Sequence, residues 1–272
     1  MELHFIDVGI GNMTLLRFPS GITYLFDCNV TDDNESDVLG YLGKAMGSRT
    51  AIDVFICSHR DADHMRGIKK VHDEYPIGEI RDPGVPGTTT DSTEYDEYME
   101  LRRRLGGRDI KALKYRDIGE VRLHFMNASD DDFTDANDQS VVLKVEFGKS
   151  SALLAGDTSF RPWKEKILPN YSDDELKADI LLGSHHGSLA FFDDPGDDQN
   201  YYTRHMRKIK PDMTIVSVGP NVHDLPDDKA MELYKKYSSG SDKGNKVRTT
   251  EDHGNMKLIL KSDGGWSLNV NQ

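Results

Sequence analysis

Three short apolar runs in this chain each end in side chains that bind metal ions or carry protons, and that recurrence limits the folds open to it. Ile52-Asp53-Val54-Phe55-Ile56-Cys57 leads into Ser58-His59-Arg60-Asp61-Ala62-Asp63-His64, and Ala152-Leu153-Leu154-Ala155 leads into Gly156-Asp157-Thr158. Ile180-Leu181-Leu182-Gly183 leads into Ser184-His185-His186-Gly187-Ser188. Apolar runs of this length, bounded by Gly and polar residues, read as buried strands. Strand ends in layered folds converge on an edge, so the three polar endings are expected to meet.

Within His59 to His64, four side chains able to ligate a metal fall in six positions, His59, Asp61, Asp63 and His64. Imidazole together with carboxylate suits zinc, with manganese or iron as alternatives. Asp157, projecting from the end of a buried strand, is placed to bridge two ions. Two divalent cations lower the pKa of water toward ~7 and clamp a developing oxyanion, so hydrolysis needs no protein nucleophile. His186 and Ser188 read as positioned donors to the transition state or the leaving group, with Asp63 shared between binding and catalysis. These residues alone do not rank His185 against His186. A further strand ends at Ser217-Val218-Gly219-Pro220-Asn221-Val222-His223, which makes His223 a candidate substrate contact.

Each feature by itself has a plainer reading: an acidic solvated loop, an ordinary turn, a structural histidine pair, a loop histidine. Their joint occurrence is what favours a metal site. His4, His72, His124, His205 and His253 stand alone in the sequence and receive no role.

The periodicity along the chain fits two strand-and-helix halves. Leu3 to Val8, Met13 to Phe18 and Thr23 to Asp27 read as a β-meander. A helix is expected near Asp37 to Met46, and another from Asp63 toward His72. Thr93 to Leu105 has helical spacing, and Asp130 to Asp138 reads as a loop between the halves. Strands follow at Val141 to Phe147, Ala152 to Leu154, Ile180 to Leu182, Met213 to Val218 and Met256 to Leu260. Helices are expected after Ser159 and near Asp227 to Tyr237. Such an order suits two sheets packed face to face with helices outside. At 272 residues, a single domain over 1–272 is the default.

Charge and composition restrict the partners. With 47 acidic against 34 basic residues the formal net charge is −13, which argues against a general nucleic-acid coat and against long-duplex binding through many phosphate contacts. Arg102, Arg103, Arg104 and Arg108 cluster, but Glu94, Glu97 and Glu100 lie close in sequence, so a solvated, salt-bridged helix face is expected. The opening Met1-Glu2-Leu3-His4-Phe5 has no basic start and no long apolar stretch follows, so neither a signal peptide nor a membrane span is expected. Two cysteines, one of them in an apolar run, give no disulfide or cysteine–zinc framework and fit a cytoplasmic compartment.

Taken in order, Phe5-Ile6-Asp7-Val8-Gly9-Ile10-Gly11-Asn12, Ser58 to His64, Leu154-Ala155-Gly156-Asp157 and Ser184 to Ser188 resemble the metallo-β-lactamase superfamily. Within it they resemble the hydrolase domain of ComEC-type DNA-internalisation competence proteins. Most members have His where this chain has Asp61, whereas the competence branch looks like H-x-D-x-D-H. The resemblance implies an α/β fold, a four-layer αββα sandwich, holding two divalent metal ions. His59 and Asp61 would hold one ion, Asp63 and His64 the other, with Asp157 bridging, His185 completing the second site and His186 facing substrate. The superfamily's additional histidine ahead of the Gly-Asp element has no counterpart here, although Asn137-Asp138-Gln139-Ser140 resembles a family stretch at that place. The implied activity is phosphodiester hydrolysis of nucleic acid or nucleotide. Ester, lactone, thioester or β-lactam hydrolysis ranks second, and a non-enzymatic binding module third. Substrate choice is expected to lie in the loops Asp82 to Ser92 and Phe191 to Tyr201.

Overall fold

The computed structural model of the chain describes residues 1–129, 133–194, 201–240 and 246–272. Alternation along the strands generates its layers. In Thr23–Phe26, Tyr24 and Phe26 face one way and Leu25 the other; in Ser150–Leu154, Ala152 and Leu154 oppose Leu153. Both faces are apolar, so each sheet must be covered twice. One face of each sheet contributes to a shared core in which Leu3, Phe5, Leu16, Phe26 and Ile56 pack with Leu123, Leu143, Leu154, Leu182 and Ile215. The other faces are covered by helices. Val38, Leu42 and Met46 of Glu35–Met46 and Tyr98 and Leu101 of Thr93–Arg104 cover the first sheet, and Trp163, Met206 and Tyr234 lie over the second. The result is the four-layer αββα sandwich.

The first sheet orders its strands Trp266–Asn269, Met256–Leu260, Glu2–Phe5, Thr14–Arg17, Thr23–Phe26, Ile52–Ile56, Ile77–Asp82 and Arg108–Asp109. The second runs Val247–Thr249, Met213–Val216, Ile180–Leu182, Ser150–Leu154, Val142–Phe147, Val121–Asn127 and Lys114–Ile118. The expected meander is present as antiparallel neighbours. Met256–Leu260, which the sequence placed with the second half, instead pairs antiparallel with Glu2–Phe5 in the first sheet. The strands Ile52–Ile56, Ser150–Leu154 and Ile180–Leu182, whose polar endings singled them out, are central and have parallel neighbours.

The continuous helix expected from Asp63 toward His72 is broken. It forms two pieces, Ala62–Met65 and Ile68–Glu74. Between them Arg66 is extended and its carbonyl accepts the Val30 amide (3.0 Å), while Gly67 takes φ +70°. A Cβ on Gly67 would stand 2.3 Å from the Val30 carbonyl oxygen. The chain here gives up one helical turn to bond the neighbouring strand end, a contact that helical periodicity does not register. The expected loop at Asp130 to Asp138 lies partly outside the described residues, as does Phe191 to Tyr201.

Candidate metal centre

Three central strands deliver the polar endings to one edge, and a fourth, Thr23–Phe26, supplies a group the sequence reading passed over. Asp27 follows that strand directly, is fully buried with φ +59°, and its amide bonds the Ile56 carbonyl (2.8 Å). Its carboxylate accepts the Ser58 amide (2.6 Å), the Ser58 hydroxyl (2.9 Å) and His64 Nδ1 (2.8 Å). With Nδ1 committed to Asp27, His64 turns its Nε2 inward. A carboxylate behind an imidazole fixes tautomer and ring orientation in this way at metal sites.

Asp157 is at the middle of the arrangement and 3% exposed. Its Oδ2 lies 3.1 Å from His64 Nε2, 3.5 Å from His186 Nε2, 3.8 Å from His185 Nε2 and 4.0 Å from His59 Nε2. The Asp157 amide is held by the Ser140 hydroxyl (3.2 Å). Asp63, His64, Asp157 and His186 each offer one ligand atom, all within 4.8 Å of one another. His59 and Asp61 flank this group, His59 Nε2 being 3.6 Å from Asp61 Oδ2.

The residues fit a cation by their own chemistry. His64 Nε2 and Asp157 Oδ1 are buried without a hydrogen-bond partner. His186 Nδ1 donates to the Ser217 carbonyl (3.0 Å), which turns its Nε2 toward Asp63 Oδ2 at 3.0 Å. Lone pairs of two imidazoles and two carboxylates thus converge where only positive charge satisfies them. Electrostatics agree. Burial opposes charge on His64 and His186, yet Asp157 with its neighbouring carboxylates outweighs it, raising His64 and pushing His186 up to about 9. Burial likewise opposes ionisation of Asp63 and Asp157, and the histidines hold both carboxyls below the usual range. His59 moves the other way, lowered by burial and by His64 beside it.

The two adjacent histidines are sorted by backbone conformation. His185, His186 and Gly187 take φ +49°, +51° and +84°, a left-handed run that costs strain in non-glycine residues and recurs at functional sites. It buries His186 within the four-group cluster and leaves His185 29% exposed at its margin. The structure thus sets His186 beside Asp63 and His64, with His185, which the resemblance gave to the second site, 3.8 Å from Asp157. Ser188 caps the following turn through Ala190 N (3.2 Å), and His223 is exposed on the loop after Val218. Neither is among the groups brought together.

Two more supports were missed from sequence. Asp61 accepts both the amide (2.6 Å) and the hydroxyl (2.9 Å) of Thr88. Gly87 allows that approach, since a Cβ there would meet the Arg60 carbonyl oxygen at 2.1 Å. Arg60 is buried and forms a two-pronged pair with the fully buried Asp82 (3.0 and 3.1 Å), which also takes Arg102 Nε (2.7 Å). Arg102 is therefore bound inward to Asp82, with Asp109 beyond it at 2.6 Å, rather than to the glutamates of its own helix. The expectation of a solvated face holds for the exposed Arg103, Arg104 and Arg108, the last pairing with Glu79 at 3.3 Å rather than with the glutamates of the helix. The five unassigned histidines stay outside the cluster. His4 bonds Tyr41, and burial pushes His205 down to about 3 among Trp163, Phe191 and Phe192.

A family model of the metallo-beta-lactamase superfamily matches residues 6–216, a span that takes in all three polar endings. The chain belongs to that superfamily. Among curated relatives, this metallo-beta-lactamase-fold chain is 24% identical over 216 residues to ComE operon protein 3 of Bacillus subtilis, covering 78% of this chain and 25% of that protein. It is 27% identical over 245 residues to Recombination protein 2 of Haemophilus influenzae, covering 88% and 27%. Both are of the competence type that the motifs resembled, and the chain spans about a quarter of their length. The fold matches that of the metallo-beta-lactamase fold protein YhfI from Bacillus subtilis (TM-score 0.53, 13% identity, 94% of this chain and all of that one). Membership makes the chain one of a superfamily of metal-dependent hydrolases whose fold binds dinuclear metal, and a His/Asp cluster that could hold an ion is present. Among the described residues no helix is long and apolar enough to cross a membrane.

Proposed function

We propose that this protein is a phosphodiesterase or nuclease that works with two divalent ions, zinc first among the candidates. The observation that carries the reading is the convergence of Asp63, His64, Asp157 and His186 within 4.8 Å, with His59 4.0 Å from Asp157 and 3.6 Å from Asp61. In this reading Asp63, His64, Asp157 and His186 would hold one ion, and His59 and Asp61 with Asp157 would hold the other. Two such ions supply Lewis acidity to both the entering and the leaving oxygen of an in-line displacement at phosphorus.

The chain's own groups do the rest. Asp27 and the Ser217 carbonyl fix the tautomers of His64 and His186, so neither ring must reorient during turnover. Thr88 immobilises Asp61, and the Arg60–Asp82 pair pins the backbone between His59 and Asp61. His185, half-buried and 3.8 Å from Asp157, is the side chain placed to meet substrate and pass a proton to the leaving oxygen. The relatives named for the ComE operon and for recombination support phosphodiester over carbonyl substrates.

Elemental analysis of protein purified without chelator, paired with bis-p-nitrophenyl phosphate hydrolysis before and after chelation, tests this. About two ions per chain and chelator-sensitive release are expected, with Asp157→Ala inactive. His186→Ala should lose bound metal, while His185→Ala keeps it and loses turnover. Metal without phosphodiester cleavage, but with nitrocefin or ester turnover, would move the reading to carbonyl substrates; folded protein that takes up no metal would leave only a binding role.

A further inference from the structure

The loop that follows Met213–Val216 is built to stay in one place. Asn221 makes four bonds within it. Its side-chain nitrogen donates to the carbonyls of Gly219 (2.9 Å) and Leu225 (2.7 Å), and its Oδ1 accepts the amides of His223 (2.9 Å) and Leu225 (3.2 Å). Both feet of the loop stand on the metal edge. Before it, the Ser217 carbonyl holds His186 Nδ1, and the Ser217 hydroxyl donates to the Gly11 carbonyl (2.7 Å). After it, Asp227 N bonds the Gly187 carbonyl (3.0 Å), and Gly187 is so close to Pro226 that a Cβ there would stand 2.6 Å from Pro226 Cβ. A loop held at both ends in this way borders the His185–His186 turn. Gly219 in turn meets Gly9, between the first two strands of the first sheet, where a Cβ on Gly219 would stand 2.6 Å from Gly9 Cα.

What this rim presents is apolar. Val222, midway along the loop, is 90% exposed. Leu225 of the same loop, and Ile10 beside Gly9, are half-buried with one side packed on the outer core of the second sheet. A lone exposed valine is ordinary. One held by a four-bond asparagine at the border of a candidate metal centre, with two more half-buried aliphatic side chains on the same rim, is not explained by packing. The charge on the rim is acidic. Ile10 and Pro220 also wall a hollow of about 870 Å³ whose charged side chains are Asp7, Asp33 and Asp37 against Lys44. Ser184 to Asp194 and Ser217 to Asp228 contain no Lys or Arg, and Lys229, next along, pairs with Glu232 (2.7 Å). The exposed Lys114 and Arg116 belong to the far end of the second sheet, with four strands between them and Met213–Val216. A second phosphate running this way from the centre meets carboxylates, whereas a hydrocarbon group meets carbon.

We propose that the substrate is a phosphodiester with one uncharged, apolar arm, and that Ile10, Val222 and Leu225 form the shelf on which that arm lies. Removing hydrocarbon from water drives such an arm onto the shelf without directional contacts, while the single negative charge of the diester stays at the centre. The proposal rests on the phosphodiester reading and narrows it from polyanions to singly charged diesters.

The test uses the full chain loaded with metal and two singly charged diester mimics whose alkoxide leaving groups resist cleavage, ethyl and hexyl methylphosphonate, with binding read by calorimetry. The hexyl ester should bind at least about tenfold tighter than the ethyl ester, with a more negative heat-capacity change. Val222→Ser should cut that ratio at least about threefold and leave the affinity for the ethyl ester and the metal content unchanged. In hydrolysis, thymidine 5′-p-nitrophenyl phosphate should show a higher kcat/KM than its 3′-phosphorylated analogue, and added salt should narrow the gap by screening the repulsion. Equal affinity for the two esters, or a hexyl preference that Val222→Ser leaves intact, overturns the shelf whether or not diesters are cleaved. A 3′-phosphate that speeds turnover, with the gain lost in salt, overturns it in favour of a polyanionic substrate. A protein that prefers the hexyl ester through Val222 but cleaves no diester leaves the shelf standing and removes the phosphodiester reading.

Discussion

At the scale of single residues, the centre is decided by what stands behind the ligands. His64 and His186 have their Nδ1 atoms committed to Asp27 and to the Ser217 carbonyl, so both Nε2 atoms point at Asp157 or Asp63. Asp27→Asn keeps the size of the side chain but weakens the charged acceptor of His64 Nδ1. Loss of such a support typically costs 10- to 100-fold in metal affinity, so competition against a chromogenic chelator should show a drop of about that size with near-normal folding. An unchanged affinity would mean that Ser58, 3.2 Å from the same nitrogen, suffices to orient the ring.

At the scale of elements, the interrupted helix after the metal-binding run is a device for registering that run on its neighbours. Ala62–Met65 carries Asp63 and His64, and the break at Arg66 and Gly67 ties its end to Cys28, Asn29 and Val30, next to Asp27 in the chain. Gly67→Ala must place a Cβ against the Val30 carbonyl in a left-handed conformation that alone costs about 1–2 kcal/mol. A fall in stability of at least ~2 kcal/mol in urea is expected, with a lowered metal content at equal folded fraction. A variant as stable as the wild type would show that the segment slides freely. The sequence displayed Ile52–Ile56, Ser150–Leu154 and Ile180–Leu182 as apolar runs, because each is buried on both faces. Lys114–Ile118, an edge strand with four exposed residues, carries no comparable signal and was not anticipated.

At the scale of the whole molecule, the centre lies across the seam of the sandwich. His59, Asp61, Asp63 and His64 follow a strand of the first sheet, and Asp157, His185 and His186 follow strands of the second. Direct bonds cross there from Val141 N to the Ser58 carbonyl (2.8 Å), from Ser217 Oγ to the Gly11 carbonyl (2.7 Å) and between His186 Nε2 and Asp63 Oδ2 (3.0 Å). A cation held by these groups would therefore fasten one sheet to the other. Ligand held at a hundred to a thousand times its dissociation constant adds about 3–4 kcal/mol to stability. Chelation should therefore lower the unfolding midpoint, and zinc or manganese should restore it. No change on chelation, at proven metal loss, would show that the seam is held by packing alone.

Local pattern was enough to mark the central strands and the His and Asp residues that the fold gathers at their ends. Apolar runs of strand length, each ending in His or Asp, mark the strand and its polar end within a few consecutive residues. Long-range geometry decided the rest. Asp27, an ordinary acidic residue after an apolar run, becomes the support of His64 only because its strand lies parallel to Ile52–Ile56. Thr88 reaches Asp61 only through the path of its loop, and Met256–Leu260 joins the first sheet across the full length of the chain. His185 and His186 are identical side chains on adjacent residues. Nothing in composition or spacing separates them, and the left-handed turn with its Ser217 anchor does.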